Sequence, residues 1–201
     1  MIEAFNNDNV INTIELYFKK HHELYKQKIN GVLWEELSYN SFRDNNYDVS
    51  WDTNSHRKGT DLELDGVLLS YKSGKLIHKK KINRMFYEYS GSRLTSFKTL
   101  NEKVDFLKKS DEHYIVFLCS NPSEKNVIYK IHYMDKSKIP YDSIVWDTNN
   151  INTIVGTHES GFSCKIQKKM SDQIWYKIPY EWLTKVKEFN IPINIINNNE
   201  Q

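Results

Sequence analysis

Apolar residues recur at helical spacing near the start of the chain. Over residues 11–27, Ile14, Tyr17, Phe18 and Tyr25 fall close to one face, which predicts a helix interrupted near Gly31. A second helix is expected over 32–42, with Leu33 and Leu37 sharing a face. Residues 43–58 are dense in Asn, Asp and Ser and hold one strand-like piece, Tyr47-Asp48-Val49-Ser50-Trp51. Residues 79–109 read as helical with a break at Ser90-Gly91-Ser92. The apolar run 114–120, closed by Asn121-Pro122, reads as a buried strand, and 127–133 alternates as another. A hairpin is expected over 161–178, turning near Ser171-Asp172, followed by a short helix over 180–189 and a frayed polar tail. This order predicts an α/β fold, a mixed β-sheet flanked by helices in a single domain.

The sharpest local pattern runs from Gly59 to Ser73. Asp65-Gly66 lies between two strand-like runs, and both central residues of a type I′ hairpin turn need positive φ, which Asp and Gly tolerate. With that turn, Leu64 faces Val67, Glu63 faces Leu68, Leu62 faces Leu69, and Asp61 faces Ser70. Alternation then projects Asp61, Glu63, Ser70 and Lys72 from one face, and Leu62, Leu64, Val67, Leu69 and Tyr71 from the other.

Composition narrows the class without naming a function. The chain has 201 residues, of which 39% are hydrophobic and 27% charged, enough for one well-buried domain. No apolar run approaches the ~20 residues that cross a bilayer, and the N-terminal residues lack the pattern of a signal peptide, so a cytoplasmic protein is expected. Cys119 and Cys164 stand far apart with no CxxC pair, which points to unreactive thiols rather than zinc or a disulfide. Alanine occurs only at position 4 while Lys, Asn, Ile and Tyr abound, as an AT-rich coding genome would give. Net charge is +2, but the cations cluster: Lys79, Lys80 and Lys81 with Arg84, and Lys165 with Lys168 and Lys169. Clusters of this kind suit a polyanion, because neutralised phosphates release counterions. The second cluster, mixed with Gln167, Gln173 and aromatic residues, suits a ribbon entering a DNA groove.

Two carboxylates, a hydroxyl and an ammonium on one hairpin face have two readings. One is a solvated strand face with weak surface pairs. The other is a phosphodiesterase site, in which a hard divalent cation held by oxygen ligands activates a water and a lysine counters transition-state charge. His56 and His78 flank the hairpin without the spacing of a histidine-metal nuclease finger, and His21, His22 and His113 read as surface residues.

Thr60-Asp61 followed by Ser70-Tyr71-Lys72 resembles the PD-(D/E)XK nuclease superfamily and its type II restriction endonucleases. These carry an acid at one strand start and (D/E)-x-Lys on the next. The approach Ser55-His56-Arg57-Lys58-Gly59 is similar to that of several such enzymes. The resemblance spans roughly residues 31–90 and implies that Asp61 binds Mg2+, Lys72 orients the attacking water, and the Tyr71 carbonyl is a further ligand. Ser70 stands where the family has Asp or Glu. Some members supply the missing acid from the following helix, which makes Glu88 the first candidate and Glu63 the second. A glutamate of the preceding helix often assists, and Gly31-x-x-x-Glu35 matches that spacing, with Glu36 as its alternative.

The resemblance therefore implies catalytic roles for Asp61, Lys72, Ser70, Glu88 and Glu35, metal ligation by Asp61, Tyr71, Glu88 and Glu63, and DNA contact by the two basic clusters. The catalytic core would span about 31–133, and 134–196 would supply DNA-contact and dimer elements. The implied biology is a homodimer cutting double-stranded DNA at a palindromic site, with a cognate DNA methyltransferase in the same system but not bound to it. A junction-resolving or repair nuclease of the same fold and a non-catalytic DNA-binding module are the alternatives.

Overall fold

The computed structural model describes residues 2–51 and 60–193. Helices α1 (Asp8–Leu24) and α2 (Gly31–Asp44) lead into strands β1 (Val49–Trp51), β2 (Leu62–Leu64), β3 (Val67–Lys79) and β4 (Arg84–Arg93). Helix α3 (Leu100–Lys108) then precedes β5 (Tyr114–Pro122), β6 (Asn126–Asp135), β7 (Val145–Asp147), β8 (Thr153–Thr157), β9 (Ser163–Gln167), β10 (Gln173–Pro179) and β11 (Thr184–Pro192). The strands form one mixed sheet in the order β11-β6-β5-β3-β4-β10-β9-β8-β7, with β2 also on β3 and β1 on β2. The fold is thus mixed α/β, as the sequence predicts.

Two helix starts follow from local chemistry. The Asn7 side chain accepts the Asn9 N–H to open α1, and Thr99 with Glu102 forms a capping box on α3. Helices α1 and α2 cover one face of β11, β6, β5, β2 and the first half of β3, burying Phe18, Trp34, Phe42, Leu62, Leu69, Tyr71, Val116 and Tyr129. Phe18 is its hub, with ring centroids 5.8 Å from Trp34, 4.7 Å from Tyr129 and 5.7 Å from Phe189. Truncating such a residue to alanine typically costs about 3–5 kcal/mol. The opposite face buries Tyr87, Tyr89, Phe117, Ile166, Ile174 and Tyr176 beneath Leu107 of α3 and the segment carrying Ile139 and Ile144.

Three expectations are corrected. Residues 79–109 are not one helix: β3 runs to Lys79, Asn83 turns the chain at φ 47°, and β4 follows. The strand was hidden because Phe86 and Tyr87 are consecutive and buried on opposite faces, which erases the alternation. The expected helix over 180–189 is a single 3-10 turn, Tyr180–Trp182, followed by β11, whose Phe189 and Ile191 are buried at period two. His22 is fully buried rather than on the surface. Its Nδ1 lies 2.9 Å from the Tyr25 carbonyl and its Nε2 2.8 Å from the Tyr129 hydroxyl, which also accepts the Ile29 N–H. Strands β7 and β8 carry little apolar signal and were not expected.

Both cysteines are buried free thiols, with pKa values raised by desolvation. Among the described residues no helix is long and apolar enough to cross a membrane.

Candidate active site

The hairpin forms in the expected register. Asp65 and Gly66 take positive φ (48° and 77°), and Leu62, Glu63 and Leu64 pair with Leu69, Leu68 and Val67. The Asp61 N–H donates to the Leu69 carbonyl at 2.9 Å, which sets Asp61 opposite Ser70.

One edge of β3 changes partner along its length. It pairs with β2 through Leu69 and with β4 from Gly74 onward, while β5 runs parallel along the other edge from Leu69 to Gly74. Among the described residues no strand pairs with 70–73 on the first edge, so the sheet forks there. A Cβ on Gly74 would meet the Glu88 carbonyl at 2.4 Å and the Tyr87 ring at 2.5 Å, so β4 rejoins β3 only against glycine.

Side chains take the place of a strand in the fork. The Tyr71 N–H donates to Asp61 Oδ2 at 2.5 Å, and Lys72 Nζ donates to the Tyr71 carbonyl at 2.9 Å. Lys72 Nζ also donates to Asp61 Oδ2 at 3.1 Å, and the buried Ser70 hydroxyl donates to the same oxygen at 3.2 Å. Ser70 therefore orients Asp61.

Glu35 reaches the same place from α2. Its pKa is raised, first by desolvation and second by the charge of Asp61, with the Lys72 ammonium pulling the other way. The Trp51 indole N–H also opposes the rise through its closeness, although it lies buried without an acceptor in hydrogen-bonding geometry. Glu36 is exposed. Beneath the fork the Tyr71 ring packs against Trp34 at 5.3 Å, and burial drives its phenol pKa far up.

The structure gathers Asp61, Ser70, Tyr71, Lys72 and Glu35, and leaves other predicted residues apart. Glu63 is exposed on β2, outside the contacts of Asp61. Glu88 lies on a strand rather than a helix, opposite Lys75, and its carboxylate is held by Lys75 at 3.2 Å and Lys177 at 3.8 Å. Lys75 lies five residue steps along β3 from Ser70, roughly 16 Å of strand. Glu88 thus does not supply the missing acid to this cluster, and its two lysine neighbours, Lys75 and Lys177, were missed. Their only sequence signal is the period-two spacing of Lys75, Ile77 and Lys79.

Lys79 and Arg84 lie over the Phe86 ring, Arg84 also pairing with Glu181, and Lys80 and Lys81 occupy the β3–β4 turn. That turn stands roughly 30 Å along the strand from Ser70 rather than beside it. Lys165 lies over Trp175, and Lys168 and Lys169 are exposed in the β9–β10 turn. The approach Ser55-His56-Arg57-Lys58-Gly59 lies outside the described residues.

Among the described residues no three His, Cys, Asp or Glu side chains converge as a ready metal cage. A hollow of about 710 Å³ is lined by Val67, Glu112, His113, Lys136 and Tyr141 and does not include the fork. No known protein family, curated protein or solved structure matches the chain.

Proposed function

We propose that the chain is a Mg2+-dependent endonuclease with a PD-(D/E)XK-like fold, cutting double-stranded DNA at the fork of β3. The observation that carries this reading is that one cation, the Lys72 ammonium, bridges Asp61 Oδ2 and the Tyr71 carbonyl oxygen. Those are the two oxygens the motif assigns to the metal.

The donor set fits magnesium, which takes oxygen ligands and usually only one or two protein carboxylates. Asp61 and the Tyr71 carbonyl would hold it, with Glu35 as the second carboxylate in place of the acid missing at Ser70. When bound, the ion neutralises phosphate charge and lowers the pKa of a water. Lys72 would counter the negative charge that develops on the phosphate oxygens, and the Ser70 hydroxyl would keep Asp61 oriented.

A type II restriction endonuclease is the biology we favour: a cytoplasmic homodimer acting on a palindrome, with a methyltransferase protecting the host DNA. The competing reading, a DNA-binding module without catalysis, draws on Asp61 and Lys72 already satisfying the backbone of Tyr71.

Plasmid and branched DNA incubated with magnesium or chelator decide between them. Discrete products from wild type, absent with Asp61→Ala and Lys72→Ala, are expected. Tight DNA binding without cleavage under any divalent metal would sink the catalytic reading.

A further inference from the structure

The sheet has a second surface that the fork does not use. None of the residues of β4, β8, β9 or β10 belongs to the core beneath α1 and α2. Every second residue of β9 and β10 is buried on the α3 side, and those between are half-exposed on the other side. Register places Lys75, Glu88, Lys177 and Ser163 in one row across this open face, with Trp175 and Lys165 paired beside it. Four lysines gather there. Lys75, Lys79 and Lys165 all lie close enough to Lys177 to lower its pKa together with desolvation, and Glu88 opposes them. Among the described residues of that row Glu88 is the lone acid, its two oxygens held between Lys75 and Lys177.

An excess of cations packed closely enough to disfavour one another's charge is complementary to a polyanion. We propose that this open face is the docking surface for the phosphate backbone of duplex DNA, and that Glu88 occupies a phosphate position until DNA displaces it. The proposal rests on the DNA-cutting reading of the fork and deepens it. The face lies on the side from which Glu35 approaches the fork. On β3 it runs from Lys75 to Lys79, roughly 13 Å, beyond the part of the strand that α1 and α2 cover. Trp175 contributes a half-exposed ring, its indole N–H buried without an acceptor among the described residues.

The test is fluorescence anisotropy of a labelled 30-base-pair duplex in chelator, in the Asp61→Ala background, so that binding is read without cleavage. Lys75→Gln with Lys177→Gln should weaken binding tenfold or more and flatten the log K against log salt slope by about 2. Lys165→Gln alone should flatten it by about 1. Glu88→Gln frees two lysines and should tighten binding several-fold. Lys19→Gln on α1 should change nothing, and circular dichroism and melting verify folding of each variant.

Unchanged binding in the lysine variants overturns the platform, and so does weaker binding in Glu88→Gln or the absence of salt-dependent binding by wild type. If binding is unchanged and the same lysine substitutions, made without Asp61→Ala, cut DNA normally, the platform falls and the nuclease reading stands. If they lose binding while wild type never cuts, the platform stands and the nuclease reading falls. A single strand of the same sequence binding more tightly than the duplex would overturn the duplex as occupant.

Discussion

Asp61, just before β2, and Lys72 on β3 meet at 3.1 Å over the backbone of Tyr71, one carrying its N–H and the other its carbonyl. The pair closes an edge of the sheet where, among the described residues, no strand does. Substitutions there should report on structure and chemistry separately.

Asp61→Ala leaves the Tyr71 N–H without its acceptor, so a stability loss of about 1–3 kcal/mol is expected alongside the loss of cleavage. Asp61→Asn keeps an acceptor oxygen but removes the charge, so it should melt close to wild type and still fail to cut. Urea denaturation beside a plasmid assay checks both, and an active Asp61→Asn variant would dismiss the carboxylate's role.

Glu35→Gln should stabilise the protein at pH 7 while suppressing cleavage. Because the folded pKa of Glu35 is raised, the native state favours its proton. Its contribution is favourable below the unfolded pKa near 4.3 and is lost as pH rises through the folded value. At neutral pH the ionised group is a cost that glutamine removes. A lower melting temperature for the variant at pH 7, with the gap unchanged at pH 4, would contradict this.

Acid should destabilise the fold through two histidines. Burial is the largest cause lowering the pKa of each, His132 to about 4, aided there by Lys185 and Lys130 and opposed by Glu188. Each contribution is complete above the unfolded value near 6.5 and is lost as pH falls, for His132 through about pH 4. The Tyr25 carbonyl can only accept, so His22 Nδ1 donates and Nε2 takes the Tyr129 hydroxyl proton, which leaves no room for a second ring proton. His132→Gln should flatten the decline in urea midpoint between pH 7 and 4.5, by up to roughly 3 kcal/mol. Equal slopes in variant and wild type would refute the assignment.

Gly74→Ala should destabilise by about 1–3 kcal/mol, since its methyl would meet the Glu88 carbonyl and the Tyr87 ring within 2.5 Å. The Tyr87 hydroxyl donates to the Leu118 carbonyl at 2.9 Å, so the ring is not free to move away. A crystal structure of the variant should show β4 shifted from β3, and an unshifted structure of normal stability would remove the constraint on the fork.

The hairpin, its register and the shared position of Asp61, Ser70 and Lys72 were legible because turn chemistry and period-two alternation are local. Glu35 was legible only through a spacing, since sequence does not tell how α2 packs against β3. Glu88 was misread because its strand buries Phe86 and Tyr87 on opposite faces and carries charge on its open side, which imitates a surface helix. Strand β11 was hidden for a related reason: at the sheet edge it buries only Phe189 and Ile191 and exposes the charged residues between. Long-range pairing decides both, and no local pattern encodes it.

The fork has one more consequence, for self-association. A strand edge with unpaired backbone groups is a template on which another molecule's strand can grow, and charge along the edge is a common defence. At 70–73 that defence consists of Asp61 and Lys72, turned inward onto the backbone they protect. Replacing both with apolar residues to obtain an inert protein would uncover a sticky seam inside the sheet, and the product would be prone to aggregate.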